Sequence, residues 1–241
     1  MKKLAPVAAA CLYLFACDVI ASAQTSMNAS DYFTSGDQIL FAKAAAKGDI
    51  ASIESSLRKG MDVNVRGKEG MTPLLFALAN QNLPGFECLL RHGANPNLQD
   101  EGGDSVISFA AIARDSAFLN LAIKTGGDPN IVNPKTGQPA IFRCIEAFNL
   151  ENLKVFIAAK ANLDAQDRVG DTPMAHAANI NQYDLVFTLL SAGADPLIEN
   201  RWGRTLMSRL TKNHVNPNSE MYQWRSKVIE LLNSKGIQIQ R

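Results

Sequence analysis

Glycines recur along this chain at Gly36, Gly70, Gly103, Gly137, Gly170 and Gly203, at intervals of 34, 33, 34, 33 and 33 residues. A second set keeps the same rhythm at Gly60, Gly93, Gly126 and Gly193, with Lys160 in the remaining place. Two independent markers sharing one period leave little choice of architecture. The chain is an array of one supersecondary unit, and each copy buries its apolar face against the next.

The residues around the markers describe that unit. Thr72-Pro73-Leu74, Ser105-Val106-Ile107, Pro139-Ala140-Ile141, Thr172-Pro173-Met174 and Thr205-Leu206-Met207 follow the first glycine set. A Thr or Ser hydroxyl accepts from a free N–H in a helix's first turn. Pro fits the next position because its missing N–H would have had no partner. The spacing predicts a first helix over 73–80 and over 173–180. A break such as Asn80-Gln81-Asn82 follows, then a second helix with Phe86, Leu89 and Leu90, or Leu185, Leu189 and Leu190, on its apolar face. The second helix stops at the second glycine set, where a left-handed cap carries no steric penalty. The stretch after it, 95–103 for instance, is turn-rich and reads as an extended turn or hairpin, braced by Asp100 and, one copy on, by Asp167.

The ends differ. The first copy opens at Gly36-Asp37-Gln38-Ile39-Leu40 and continues into a helix with Ile53 and Leu57. The last carries an insertion, since Gly236 lies 43 residues beyond Gly193 rather than 33. Residues 213–219 read as a loop, and Met221, Trp224, Val228, Leu231 and Leu232 mark a longer helix that caps the array.

This pattern resembles the ankyrin repeat, with its period of about 33 residues and its T-P-L-H-x-A signature. The resemblance runs from about Ser30 to about Ile239. It implies an all-α solenoid of about six helix-turn-helix units over 36–241, with 203–241 as a modified C-terminal cap. The family's His after T-P-L is replaced by Leu75, Ser108, Phe142, Ala175 and Ser208, and His176 falls one place later, where the family buries Leu.

The N-terminus reads as a secretory signal peptide over 1–23. Lys2 and Lys3 precede an apolar run from Leu4 to Ala16, and Ala21-Ser22-Ala23 offers small residues for cleavage before Gln24. Residues 24–35 are then a lead-in, and the expected location is the periplasm. Asp18 interrupts the apolar run, which is too short to span a bilayer. Leu14-Phe15-Ala16-Cys17 loosely resembles a lipobox, but Phe15 suits it poorly, so a lipid anchor at Cys17 is the less favoured reading. Removing Lys2, Lys3 and Asp18 from 24 basic and 23 acidic residues leaves 22 of each, a balance that does not call for nucleic acid. Cys88 and Cys144 fall two repeats apart, about 20 Å at about 10 Å per helix layer, so no disulfide is expected.

Candidate chemistry is sparse. His92 precedes a cap glycine and suits a helix C-terminus. His176 occupies an apolar slot, and His214 stands alone in the inserted loop. Metalloprotease, nucleophile-elbow and phosphate-loop motifs are missing from the sequence. Neither a catalytic group, a metal nor a cofactor is expected. What repeats is a set of tips, whose candidate partner-binding residues are Lys68, Glu69, Met71, Glu101, Asp104, Lys135, Gln138, Arg168, Asp171, Arg201, Trp202 and Arg204. Mixed charges along them favour a protein partner of complementary charge. Trp202, between Arg201 and Arg204, either forms a binding hot spot or packs under the 213–219 loop.

The family resemblance implies a protein-binding module. Among small secreted ankyrin-repeat proteins, the chain is similar to immunity proteins that neutralise antibacterial toxins, some of them phospholipase effectors of type VI secretion. A structural or chaperone-like periplasmic module supporting stress resistance is the alternative.

Overall fold

A computed structural model describes residues 27–212 and 215–238. The expected signal peptide, Cys17 and His214 lie outside the described residues. The chain forms two compact units, one ending at Lys135 and the other starting at Thr136. Among the described residues there are thirteen α-helices, one 3-10 turn and no strand. The hairpin expectation reduces to one isolated bridge between Gln99 and Ser105. None of these helices is long and apolar enough to cross a membrane.

The first unit holds α1 (Ala29–Tyr32), α2 (Gly36–Lys47), α3 (Ile50–Arg58), α4 (Pro73–Ala79), α5 (Leu83–Arg91), α6 (Val106–Ala110) and α7 (Ala117–Lys124). First helices α2, α4 and α6 pack in order, each beside its own second helix α3, α5 or α7. The Thr72 hydroxyl caps α4 by accepting from Leu75 N at 3.1 Å, and Ser105 caps α6. The Asn-rich break supplies the second helix's cap, Asn82 Oδ1 accepting from Gly85 N at 2.8 Å. Gly85 itself sits where α5 crosses the end of α2: a Cβ there would lie 2.0 Å from the Ala45 carbonyl oxygen. Phe33 meets Phe76 edge-on at 5.9 Å, and Phe86 meets Phe118 at 5.1 Å. Each aromatic thus fills the layer between two repeats.

The second unit holds α8 (Ile141–Glu146), α9 (Leu150–Ala158), α10 (Pro173–Asn179), α11 (Tyr183–Ser191), α12 (Leu206–Lys212) and α13 (Glu220–Ser234). Thr172 caps α10, whereas α8 begins at Ile141 without a side-chain cap because Pro139-Ala140 offers no hydroxyl. The long α13 packs on α11, burying Val228 and Leu232 and setting Trp224 against Phe187 at 5.5 Å. It stands where the last repeat's second helix belongs, as α5 stands on α3.

The glycine markers carry a conformational reason. Gly70, Gly103, Gly137, Gly170 and Gly203 all have positive φ, and so do Gly60, Gly93, Gly126 and Gly193. Lys160 occupies the same left-handed region at φ 56°. Gly36 is the exception and corrects the sequence alignment. It opens α2 behind Ser35 and is not among the positive-φ glycines, because no tip precedes the first helix of the array. A third left-handed row joins first to second helices at Gly48, Gln81, Phe148 and Asn181.

Side chains stitch neighbouring repeats together. Asn64 Oδ1 accepts from Asn95 N at 2.8 Å, and Asn97 Oδ1 accepts from Asp128 N at 2.7 Å. In the second unit Asp164 does the same for Asp195 N at 2.9 Å. These bonds explain the Asn and Asp near each cap glycine: they satisfy backbone amides that no helix or sheet serves. Cys88 and Cys144 are both buried free thiols, each pushed above the usual thiol range by burial.

Candidate protein-binding surface

Three of the tips are five-residue loops closed on themselves by a backbone bond and braced by their first side chain. Asp100 N donates to Asp104 O at 2.8 Å, Asp167 N to Asp171 O at 3.0 Å, and Asn200 N to Arg204 O at 3.1 Å. The first side chain of each loop braces it from within. Asp100 Oδ1 accepts from Asp104 N at 2.9 Å, and Asp167 Oδ1 accepts from Val169 N and Asp171 N at 2.9 Å. Asn200 Oδ1 accepts from Trp202 N at 3.0 Å and Arg204 N at 3.1 Å. The bracing role expected for Asp100 and Asp167 is therefore present, and Asn200 shares it. Burial pushes the Asp100 carboxyl above the usual aspartate range despite these bonds, and its Oδ2 is buried without a hydrogen-bond partner. Tips also touch tips: Glu101 N donates to Glu69 O at 2.9 Å and Arg201 N to Val169 O at 3.1 Å.

In the first unit Lys68, Glu101 and Lys135 are exposed, with the Lys135 ammonium donating to the Glu101 carbonyl. Glu69 is half-buried at φ 59°. Asp104 is half-buried and accepts from Asn133 Nδ2 at 3.1 Å. Met71 is fully buried, so its assignment to a binding surface is corrected. In the second unit Arg168, Arg201, Trp202 and Arg204 are exposed, whereas Gln138 is half-buried and donates to Glu146 Oε1 at 2.7 Å. Asp171 is buried, and its assignment is corrected too. Met71, Asp104, Gln138 and Asp171 share one place, directly after the left-handed glycine. There the chain turns back towards the first helix, which buries Met71 and Asp171 and half-buries Asp104 and Gln138, whereas Arg204 in the same place after Gly203 stays exposed.

Asp171 anchors a buried polar network. Its Oδ1 accepts from the Arg209 guanidinium and from Asn200 Nδ2 at 2.7 Å, and its Oδ2 from Asn179 Nδ2 at 2.9 Å. Arg209 also donates to Asn179 Oδ1 at 2.7 Å and to the Thr205 carbonyl at 2.9 Å. Every strong acceptor therefore meets a donor, which a buried charge requires. The network holds Asn200, and Asn200 holds the amides of Trp202 and Arg204. Trp202 is 62% exposed, which decides against packing under the inserted loop. The Arg204 guanidinium lies over its ring, 5.9 Å from the centroid.

The sequence alone singles out neither Arg209 nor Phe148, and it assigns His176 to an apolar slot. Arg209 is the partner of Asp171, and its only sequence signal is its place, 33 residues from His176 and 66 from Arg143 on successive first helices. His176 itself is half-buried, edge-on to Phe142 at 5.5 Å and 4.0 Å from Glu146 Oε1. Phe148 is 59% exposed at φ 54°, in the slot where sister turns carry Gly48, Gln81 and Asn181. Its signal was that third left-handed row. His92 does what its position suggested, Nδ1–H donating to the Cys88 carbonyl at 2.8 Å.

Comparison with known proteins gives a consistent picture. A family model described as ankyrin repeats in three copies matches residues 107–200, and one described as ankyrin repeats in many copies matches residues 41–90. Together they cover more than half of the chain. An ankyrin repeat protein of Rickettsia bellii is 37% identical over 67 residues, which are 25% of this chain and 40% of that protein. The crystal structure of EF0377, an ankyrin repeat protein, superposes with a TM-score of 0.66 at 26% identity, covering 79% of this chain and 96% of that one. An ankyrin repeat domain from Acinetobacter baumannii AYE gives 0.68 at 24% identity, covering 82% and 98%.

Proposed function

We propose that this chain, which belongs to the ankyrin-repeat family, is an exported immunity protein that binds and neutralises an antibacterial toxin of phospholipase type. Ankyrin repeats form protein-binding modules, so the broad role follows from the family. The observation that carries the reading is Trp202: a large aromatic, 62% exposed, on a tip whose Trp202 and Arg204 amides both donate to Asn200 Oδ1 and which is anchored to a buried ion pair. A rigid exposed indole loses little conformational entropy on association and buries much area, the profile of an interface anchor. The basic, apolar and small-residue order of residues 1–23 supports export to the periplasm. The repeat-built organisation and the size of the chain support an inhibitor that works by covering an active-site entrance or a membrane-docking face.

The test is copurification of residues 24–241 with the product of the adjacent gene, alongside survival of cells that express that product in the periplasm. Binding with protection is the expected result. A non-toxic partner whose loss of support produces a stress phenotype would instead favour the chaperone-like role, and absence of both binding and protection would refute the immunity reading.

A further inference from the structure

We infer that the second unit's tips are a receptor for an acidic protein surface, an inference that rests on the protein-binding reading above and specifies the partner's chemistry. The segments 166–171 and 199–204 carry Arg168, Arg201 and Arg204 against Asp167, Asp171 and Glu199, a formal balance of zero. Folding removes one of the three carboxylates from that surface and half-buries a second. Asp171 is buried and neutralised by Arg209, a residue outside the tips. Asp167 is half-buried with its Oδ1 turned onto the Val169 and Asp171 amides. Glu199 stays exposed beside Gly203. Against Glu199 and the half-buried Asp167 stand three exposed arginines, so the presented face carries a net positive charge although the sequence is balanced.

These arginines belong to one surface. The Arg201 amide is bonded to the Val169 carbonyl, joining the two tips at 3.1 Å. The Arg168 stem lies against Gly137, where a Cβ would sit 2.7 Å from its Cγ. Arg204 lies over Trp202. The Arg201 and Arg204 guanidinia can each take a carboxylate through two parallel N–H bonds, a geometry that a Lys ammonium lacks. The indole adds an apolar centre that charge alone would not supply. A polyanion such as nucleic acid or an anionic membrane fits less well, because Glu199 and Asp167 sit among the arginines and the remainder of the mature chain carries no compensating positive excess.

The test uses a phage-displayed library of random twelve-residue peptides, selected on the purified mature protein. Counter-selection is against the variant Arg168→Glu/Arg201→Glu/Trp202→Ala/Arg204→Glu. Enriched peptides should be rich in Asp and Glu. They should bind about 30-fold more weakly to Trp202→Ala, the loss expected of an interface anchor. Arg168→Glu/Arg201→Glu/Arg204→Glu should lose binding more than tenfold and flatten its salt dependence. Replacing the same three arginines by Lys keeps the charge but not the paired N–H fork, so it should weaken binding less than the triple Glu variant does while preserving the salt dependence, and Arg58→Glu on the exposed side of α3 should leave binding unchanged. Circular dichroism checks that each variant is folded. Selection of basic or neutral peptides, or of none that distinguish the variant, would overturn the inference. So would a 20-nucleotide oligothymidine or phosphatidylglycerol vesicles binding tightly at physiological salt in a tip-dependent way. Capture of a toxin that the triple Glu variant still binds would sink this inference and leave the immunity reading standing. Acidic peptides without toxin binding would do the reverse.

Discussion

Replacing Arg209 by Met removes a buried cation while keeping much of the side-chain volume, which makes it a sharp probe of how the second unit is held together. Arg209 and Asp171 side chains are 6% and 8% exposed, so neither charge can be rescued by water in place. In the variant the Asp171 carboxylate keeps only the Asn179 and Asn200 amides, and the Asn179 and Thr205 carbonyl oxygens lose the donors they met at 2.7 and 2.9 Å. Breaking a buried pair from one side costs about 3–5 kcal/mol, because a charge is left without its partner. Asp171→Asn in the Arg209→Met background removes that charge and should recover more than half of the loss. The assay is urea unfolding followed by tryptophan fluorescence, which reports this unit alone because both tryptophans, Trp202 and Trp224, belong to it. With a slope of about 1.5 kcal/mol per molar urea, the midpoint should fall by about 2–3 M. A loss under about 1 kcal/mol, or no recovery in the double variant, would refute the claim that this pair is a desolvated, interior contact.

Further predictions follow from the tips and the left-handed positions. Burial raises the Asp100 pKa, so the unfolded chain ionises first as pH rises from about 4, and the folded state loses stability until the folded carboxyl has also ionised. Asp100→Asn, the residue that braces the equivalent loop at Asn200, should therefore raise stability at neutral pH, with the gain vanishing as pH falls towards 4. A gain that persists at pH 3 would contradict the linkage. Lys160→Gly should stabilise by about 0.5–1 kcal/mol in thermal unfolding by relieving its left-handed backbone, and Gly93→Ala should cost a comparable amount. A loss of stability in Lys160→Gly, or a gain in Gly93→Ala, would show that the slot demands something other than φ.

The parts of the structure that depend on a few adjacent residues were readable in one dimension. Thr72 and Thr172 cap helices, Pro follows them, and glycine stands where φ is positive. Each of these is a steric or hydrogen-bond rule acting within about four residues, so the 33-residue rhythm betrays it. Gly36 kept the rhythm without the conformation, because periodicity alone does not report what precedes a residue in space.

What the sequence by itself determined is the repeat, its helix boundaries and the presence of tips bearing Arg168, Arg201, Trp202 and Arg204. Which tip residues face outward was decided only in three dimensions. Asp171 and Trp202 both look like surface positions in the pattern, yet one is interior and the other is bare. The partners that draw Asp171 inward, Asn179, Asn200 and Arg209, are 8, 29 and 38 residues away in sequence. They meet it because neighbouring repeats stack in register. A buried charge is tolerated only where such distant donors converge, and that convergence is a property of packing rather than of any local stretch of chain.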